Sequence, residues 1–191
     1  MSRAPRIVIG ALSLSAAGLV GLATRENYME QAAVPVKGDV PTLGFGSTTH
    51  LDGSPVRLGD RTTPVKALQR TLAYTAQAEA DIKKCIDVPL HQGEFDLYMD
   101  FAYQYGVPTF CASAVAVHLR AQRYAQACDA LLSYRFMSDS RPHDGWTVSK
   151  RNAAGHPVRW QFDCAQPGNK VCLGVWTRQQ ARHSRCMELQ S

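Results

Sequence analysis

A chain of 191 residues that is 45% apolar and 19% charged can bury one sizeable core, and this composition excludes extensive disorder. The formal charge of +5 excludes a general acidic-protein role. It suits an anionic partner such as a nucleic acid, a lipid surface or a bacterial wall polymer.

The N-terminus reads "MSRAPRIVIGALSLSAAGLVGLATRE", with Arg3 and Arg6 followed by an uncharged run from Ile7 to Ala23. As a helix at ~1.5 Å per residue this run spans about 25 Å, marginal against a bilayer core of roughly 30 Å. Nine of its 17 residues are Gly, Ala or Ser, so its hydrophobicity is weak. Three readings fit: a cleaved signal peptide, with Ser15-Ala16-Ala17 or Gly21-Leu22-Ala23 as cleavage sites; a permanent anchor; or an uncleaved export signal that later leaves the membrane. The flanking arginines and the uncharged run argue against an ordinary buried helix. All three point to export. The expected organisation is an export segment over 1–23 and one folded domain over 24–191.

Residues 24–48 place polar turn residues between short apolar runs, the pattern of a β-hairpin with a Lys37-Gly38-Asp39 corner and a Gly44-Phe45-Gly46 turn. A turn-rich connector leads to a long helix. Thr63 is its expected cap, Pro64 suits its first turn, and Val65, Leu68, Leu72, Ala76 and Ala80 form an apolar stripe reaching about Lys84. Helical periodicity resumes over 93–106, with Gly106 as C-cap, and again over 112–120 and 122–134. Residues 137–157 are polar and turn-rich and read as a surface excursion. A last helix is expected from Thr177, where Thr177-Arg178-Gln179-Gln180 fits a capping box. This is an α+β plan with its strands gathered early.

Six cysteines stand at 85, 111, 128, 164, 172 and 186. They include no Cys-x-x-Cys pair, and no histidine pair has helical metal-ligand spacing, which argues against a zinc site. An even count without that spacing favours disulfides and an oxidising compartment over buried free thiols. The turn in "AQPGNKV" can bring Cys164 and Cys172 together; sequence selects no full pairing.

Glu26 and Asp39 have the chemistry that glycoside hydrolysis requires, an acid for the leaving oxygen and a second carboxylate across the bond. Glu26 follows an apolar segment, where partial burial favours the protonated form. Asp39 at a turn suits an ionised group, Thr42 can orient a water or sugar hydroxyl, and Gly44 and Gly46 allow close backbone approach to a ligand. On spacing alone, a helix-end acid and a solvated turn explain the same residues. Tyr98, Phe101, Tyr103 and Tyr105 read as core or cleft lining, Trp146 and Trp160 can stack on sugars, and Trp176 reads as core. His50 and His118 receive no catalytic role.

The stretch Glu26 to Gly46, with its "TLGFG" strand, resembles the catalytic region of the phage-type lysozymes, the T-even and lambdoid endolysins. "QGEFDLYMDFAYQYGVPTFCASAVAVHLRAQRYAQACDAL" is similar to that family's central helices, and "CLGVWTRQQARHSRC" to its C-terminal helix. The resemblance implies a lysozyme-like two-lobed fold, a small β-lobe and a mainly helical lobe joined by the long helix. It implies a muramidase cutting the β-1,4 bond between N-acetylmuramic acid and N-acetylglucosamine. Carried onto this sequence, Glu26 is the general acid, Thr42 the conserved threonine, and Gly44, Phe45 and Gly46 the substrate-facing turn.

Asp39 departs from the family spacing, with twelve residues between it and Glu26 and two between it and Thr42. It is the only aspartate in the hairpin and is assigned the second carboxylate, with Glu30 as fallback. Asn27 replaces the glycine that commonly follows the catalytic glutamate. The resemblance implies no cofactor, no metal and no nucleic acid. The expected partners are peptidoglycan and, transiently, the inner membrane through residues 7–23, for a monomer exported to the periplasm in the manner of signal-arrest-release endolysins. A non-catalytic wall-binding or lysis-control protein of the same fold is the alternative.

Overall fold

The computed structural model describes residues 5–35 and 39–190, and the chain divides into two compact units, one ending at Ser113 and one beginning at Ala114.

In the first unit the expected export segment is a 3-10 turn at Ile9–Ala11, an extended link, and helix α1 at Ala16–Arg25. Ser15 caps α1 by accepting from the Gly18 amide. Ile9, Leu12 and Leu22 are fully buried. Ile7 exchanges backbone hydrogen bonds with Leu90, at 3.0 and 2.9 Å. No helix among the described residues is long and apolar enough to cross a membrane.

Strand β1 (Met29–Ala33) pairs antiparallel with β2 (Thr42–Gly44), in the register Met29 to Gly44 and Ala33 to Thr42 with an irregularity between. This is the expected hairpin. Lys37 and Gly38 of its predicted corner lie outside the described residues. On its other edge β1 meets residues 60–62, through Ala32 N–H to Asp60 and Thr62 N–H to Glu30. Ala32, Leu43 and Val56 form a small core here.

Helix α2 runs Pro64–Cys85 with Thr63 as N-cap, its hydroxyl accepting from the Lys66 amide. Its buried face corrects the predicted stripe. Val65, Leu68 and Leu72 are exposed, whereas Ala67, Arg70, Thr71, Thr75, Ala78 and Ile82 are buried. A polar face is turned inward because it meets the hairpin and the cleft rather than an apolar core. Helix α3 (Gln92–Tyr105) is buried over most of its length and stops at Gly106, whose φ of 85° only glycine adopts readily. A short α4 (Val107–Cys111) follows, and Cys111 is bonded to Cys85.

The second unit begins with α5 (Ala114–Arg120), α6 (Tyr124–Ala130) and a 3-10 turn at Leu131–Ser133. The polar excursion is in fact a three-stranded antiparallel sheet of β3 (Phe136–Asp139), β4 (Thr147–Arg151) and β5 (Pro157–Asp163), ordered β3-β5-β4. Every residue of β4 is exposed, so the strand carries no alternation by which sequence reveals a half-buried sheet. The strands are therefore not all early.

Helix α7 spans Leu173–Glu188 and starts earlier than Thr177. Thr177 lies inside it, donating to the Leu173 carbonyl. Just before the start, at the N-cap Cys172, the side-chain Oδ1 of Asn169 accepts from the Val171 and Cys172 amides. The disulfides Cys164–Cys172 and Cys128–Cys186 close this unit, and no cysteine of the chain is free.

Candidate active site

The C-terminal end of α1 delivers Glu26. Its amide closes the last turn onto the Leu22 carbonyl, and its side chain is half-buried. The chain must then turn sharply into β1. Asn27 makes that turn at φ 45°, a left-handed conformation that asparagine tolerates better than most residues and glycine best. The asparagine in place of the family's usual glycine is thereby explained.

Opposite Glu26 the end of β2 folds back. Leu43 and Ser47 exchange backbone hydrogen bonds at 2.9 and 3.0 Å, and Gly44-Phe45-Gly46 forms the loop between them. Gly46 has φ 81°, and a Cβ there would stand 3.4 Å from the Glu26 Oε2. The bare backbone of Gly46 therefore faces the carboxylate. Gly44, at φ 67°, is bare for another reason: a Cβ would come within 2.7 Å of Ala67 Cβ, so this glycine lets β2 close onto α2. The Phe45 ring lies 5.6 Å from that of Tyr28, and its carbonyl accepts from the Tyr103 hydroxyl at 2.7 Å. The loop is thus pinned to α3.

Tyr103 registers the acid. Burial pushes its phenol up to about 12 against the opposing hydrogen bond with Thr71, with smaller contributions from the charges of Glu26 and Tyr74. Tyr74 stands edge-on to it at 5.2 Å, its own phenol raised by burial. These two tyrosines line a cleft of about 400 Å³, together with Arg70, Gly46, His50 and the hydroxyl-bearing Ser47-Thr48-Thr49 run. Glu26 does not itself line this volume. It adjoins it through Gly46, whose missing side chain would reach the carboxylate, and Tyr103, whose phenol is raised in small part by its charge. His50 is engaged with Asp60 at 2.9 Å, and Asp60 is held below the usual carboxylate range by the Arg57 amide first and His50 second.

The remaining predicted residues fall in different places. Thr42 is buried and its hydroxyl points across the hairpin toward the Ala33 carbonyl at 3.4 Å. Asp39 is exposed and its carboxylate accepts from the Val40 amide. Glu30 is exposed and paired with Arg61 at 2.9 Å. The residues that sequence reasoning missed are Arg70 and Tyr74, whose four-residue spacing on α2 could have flagged a shared face. Tyr103 was seen only as general lining. Among the described residues, no three His, Cys, Asp or Glu side chains converge as metal ligands do.

A family profile described as phage lysozyme matches residues 24–154. The chain is 30% identical over 163 residues to a SAR-endolysin of Pseudomonas phage phiKMV, covering 84% of this chain and 94% of that one. It is 27% identical over 124 residues to the endolysin of Salmonella phage P22, covering 65% of this chain and 84% of that one. Among solved structures, the endolysin of Escherichia coli O157:H7 phage FAHEc1 superposes with a TM-score of 0.70 at 22% identity, covering 94% of this chain and 96% of that one. At that identity the likeness speaks for the fold, an α+β lysozyme-like fold.

Proposed function

The chain belongs to the phage lysozyme family, and from that premise we infer how its residues divide the work. The protein is a peptidoglycan-lysing endolysin, a muramidase. The observation that supports the site is Glu26 set against the bare backbone of Gly46, beside a cleft lined by hydroxyls and aromatic rings. In our reading Glu26 protonates the glycosidic oxygen as the bond to N-acetylglucosamine breaks. Positive charge develops on the muramic ring, and a carboxylate on its other side stabilises it or activates the incoming water. Asp39, the one aspartate of the hairpin sequence, takes that part. Thr42 helps orient the water, and the Gly44-Phe45-Gly46 backbone lies along the sugar.

Export to the periplasm is part of the proposal, as is a first tether through residues 7–23 that is later released intact. Its support is the weakly apolar segment and the likeness to a SAR-endolysin. The experiment is lysis of chloroform-treated Gram-negative cells, read by turbidity, with mass spectrometry of the released fragments. Wild type should yield fragments ending in muramic acid. Glu26→Gln, nearly isosteric, should fold normally and fall below about a hundredth of wild-type lysis, since a general acid contributes on the order of 10²–10⁴-fold. Asp39→Asn should also lose activity; if it is silent while Glu30→Gln is dead, the second carboxylate has been assigned to the wrong residue.

A further inference from the structure

Arg70 is the one arginine among the described residues lining the cleft, and bond breaking does not use it. Its side chain is more than nine-tenths buried, yet it lines the cleft. Nη2 donates to the Thr62 hydroxyl at 2.7 Å, and Nε is buried without a hydrogen-bond partner. Among the described residues no carboxylate pairs with it, and the cleft lining contains no aspartate or glutamate. A buried guanidinium carries a large desolvation cost that neither a single neutral hydroxyl nor an orphaned Nε offsets. An arriving carboxylate would offset it, and a guanidinium edge fits a carboxylate in shape as well as charge.

Resting on the muramidase reading, we propose that Arg70 is a specificity subsite for a carboxylate on the peptide stem carried by the muramic residue. The neighbours suit the rest of such a substrate. Ser47, Thr48 and Thr49 offer hydroxyls to sugar or peptide amides, and Tyr74 and Tyr103 offer faces to the ring. A bare chitin-like chain would satisfy the hydroxyls and rings and leave Arg70 unpaired. The enzyme therefore selects peptide-bearing strands over naked ones.

The test uses soluble glycan strands with native stem peptides and the same strands with their carboxyls converted to methylamides. For the wild type, amidation should raise KM about tenfold or more with kcat little changed, the scale of one charge-assisted hydrogen bond. The rise should persist in about 0.3 M salt, which screens long-range attraction from the net charge. Arg70→Gln, which keeps a polar group but no charge, should show the raised KM on both strands, and Arg70→Lys should recover part of the preference. Equal wild-type KM values, or a preference that survives Arg70→Gln, would overturn the subsite. Should neither variant fold, the wild-type pair of values decides alone. Strand affinities measured with Glu26→Gln separate the two ideas: no hydrolysis of either strand by wild type sinks the muramidase reading, whereas equal affinity for both sinks the subsite.

Discussion

Two glycine-like positions fix the acid. Asn27 turns the chain left-handed just after Glu26, and Gly46 presents bare backbone to its carboxylate. A side chain at a left-handed position costs about 1–2 kcal/mol, so Gly46→Ala should lower stability by that order. Its Cβ, 3.4 Å from Oε2, makes ordinary contact with the acid, so lysis should fall no further than the lost stability accounts for. Asn27→Gly should leave both intact. Thermal melts and turbidity measured on the same preparations separate strain from misplacement. Tyr103 adds a pH signature. Its phenol lies near 10.0 when free and is pushed up to about 12 in the fold, so the folded state holds the proton more tightly. The stability this contributes is complete below pH 10.0 and is lost as pH climbs to about 12. Melting temperature should fall more steeply over that window for wild type than for Tyr103→Phe. At this scale the sequence could single out Glu26, Thr42 and the glycines, because their chemistry and spacing are local; their roles rest on the lysis assays. Arg70 was not. An arginine in a helix reads as solvated until its neighbours turn out to be buried.

Elements announced themselves where their ends carry chemistry. Thr63-Pro64 marked the start of α2 and Gly106 the end of α3, and both were readable because a cap is a local device. Faces were harder. The apolar run Val65, Leu68, Leu72 suggested one inward side of α2, yet the helix buries Arg70, Thr71 and Thr75, since the side facing the hairpin and the cleft must be polar. The β3-β5-β4 sheet was invisible because β4 is exposed throughout and the alternation of β3 covers only four residues. For α7, the Thr177 motif competed with the true start, where Asn169 and the Cys164–Cys172 disulfide hold the chain. Asn169 bonds three groups, accepting from two amides and donating to the Cys164 carbonyl. Asn169→Ala should therefore cost about 1–2 kcal/mol, the scale of two or three lost hydrogen bonds. Thr177→Ala should be neutral or gain a few tenths, because Thr177 is exposed inside the helix, where alanine is the better helix former. Denaturant midpoints of the two variants check the assignment of the helix start.

For the whole molecule the central matter is how the docked segment 7–23 bears on the proposed tether and release. In the conformation described, the segment is gripped by acids of α2 and α3. Arg6 forks onto buried Glu94, Ser15 bonds Asp96 through both amide and hydroxyl, and the Leu14 amide donates to Glu79. The Arg25–Asp100 pair, at 3.1 Å, then fixes the turn on which Glu26 sits. A segment held in a bilayer can make none of these contacts, so docking and membrane residence compete, and the acid is placed only when docking wins. The small residues serve both sides. They weaken membrane residence because they bury little apolar area, and Gly18 also admits α3: a Cβ there would meet Leu14 at 2.7 Å and Asp96 at 3.0 Å. Gly10 has nothing within 4 Å and serves only the first purpose. Gly10→Leu should therefore slow release in cells while the purified, detergent-extracted enzyme stays fully active. Gly18→Leu should delay release and also lower the activity and melting temperature of the purified enzyme. Equal behaviour of the two variants in solution would break the link between docking and the placement of Glu26. N-terminal sequencing of soluble active enzyme settles the rest: a start at Met1 or Ser2 supports intact release, whereas a start at Gly18 or Thr24 means cleavage, which would discard the Arg6 and Ser15 anchors and defeat the mechanism.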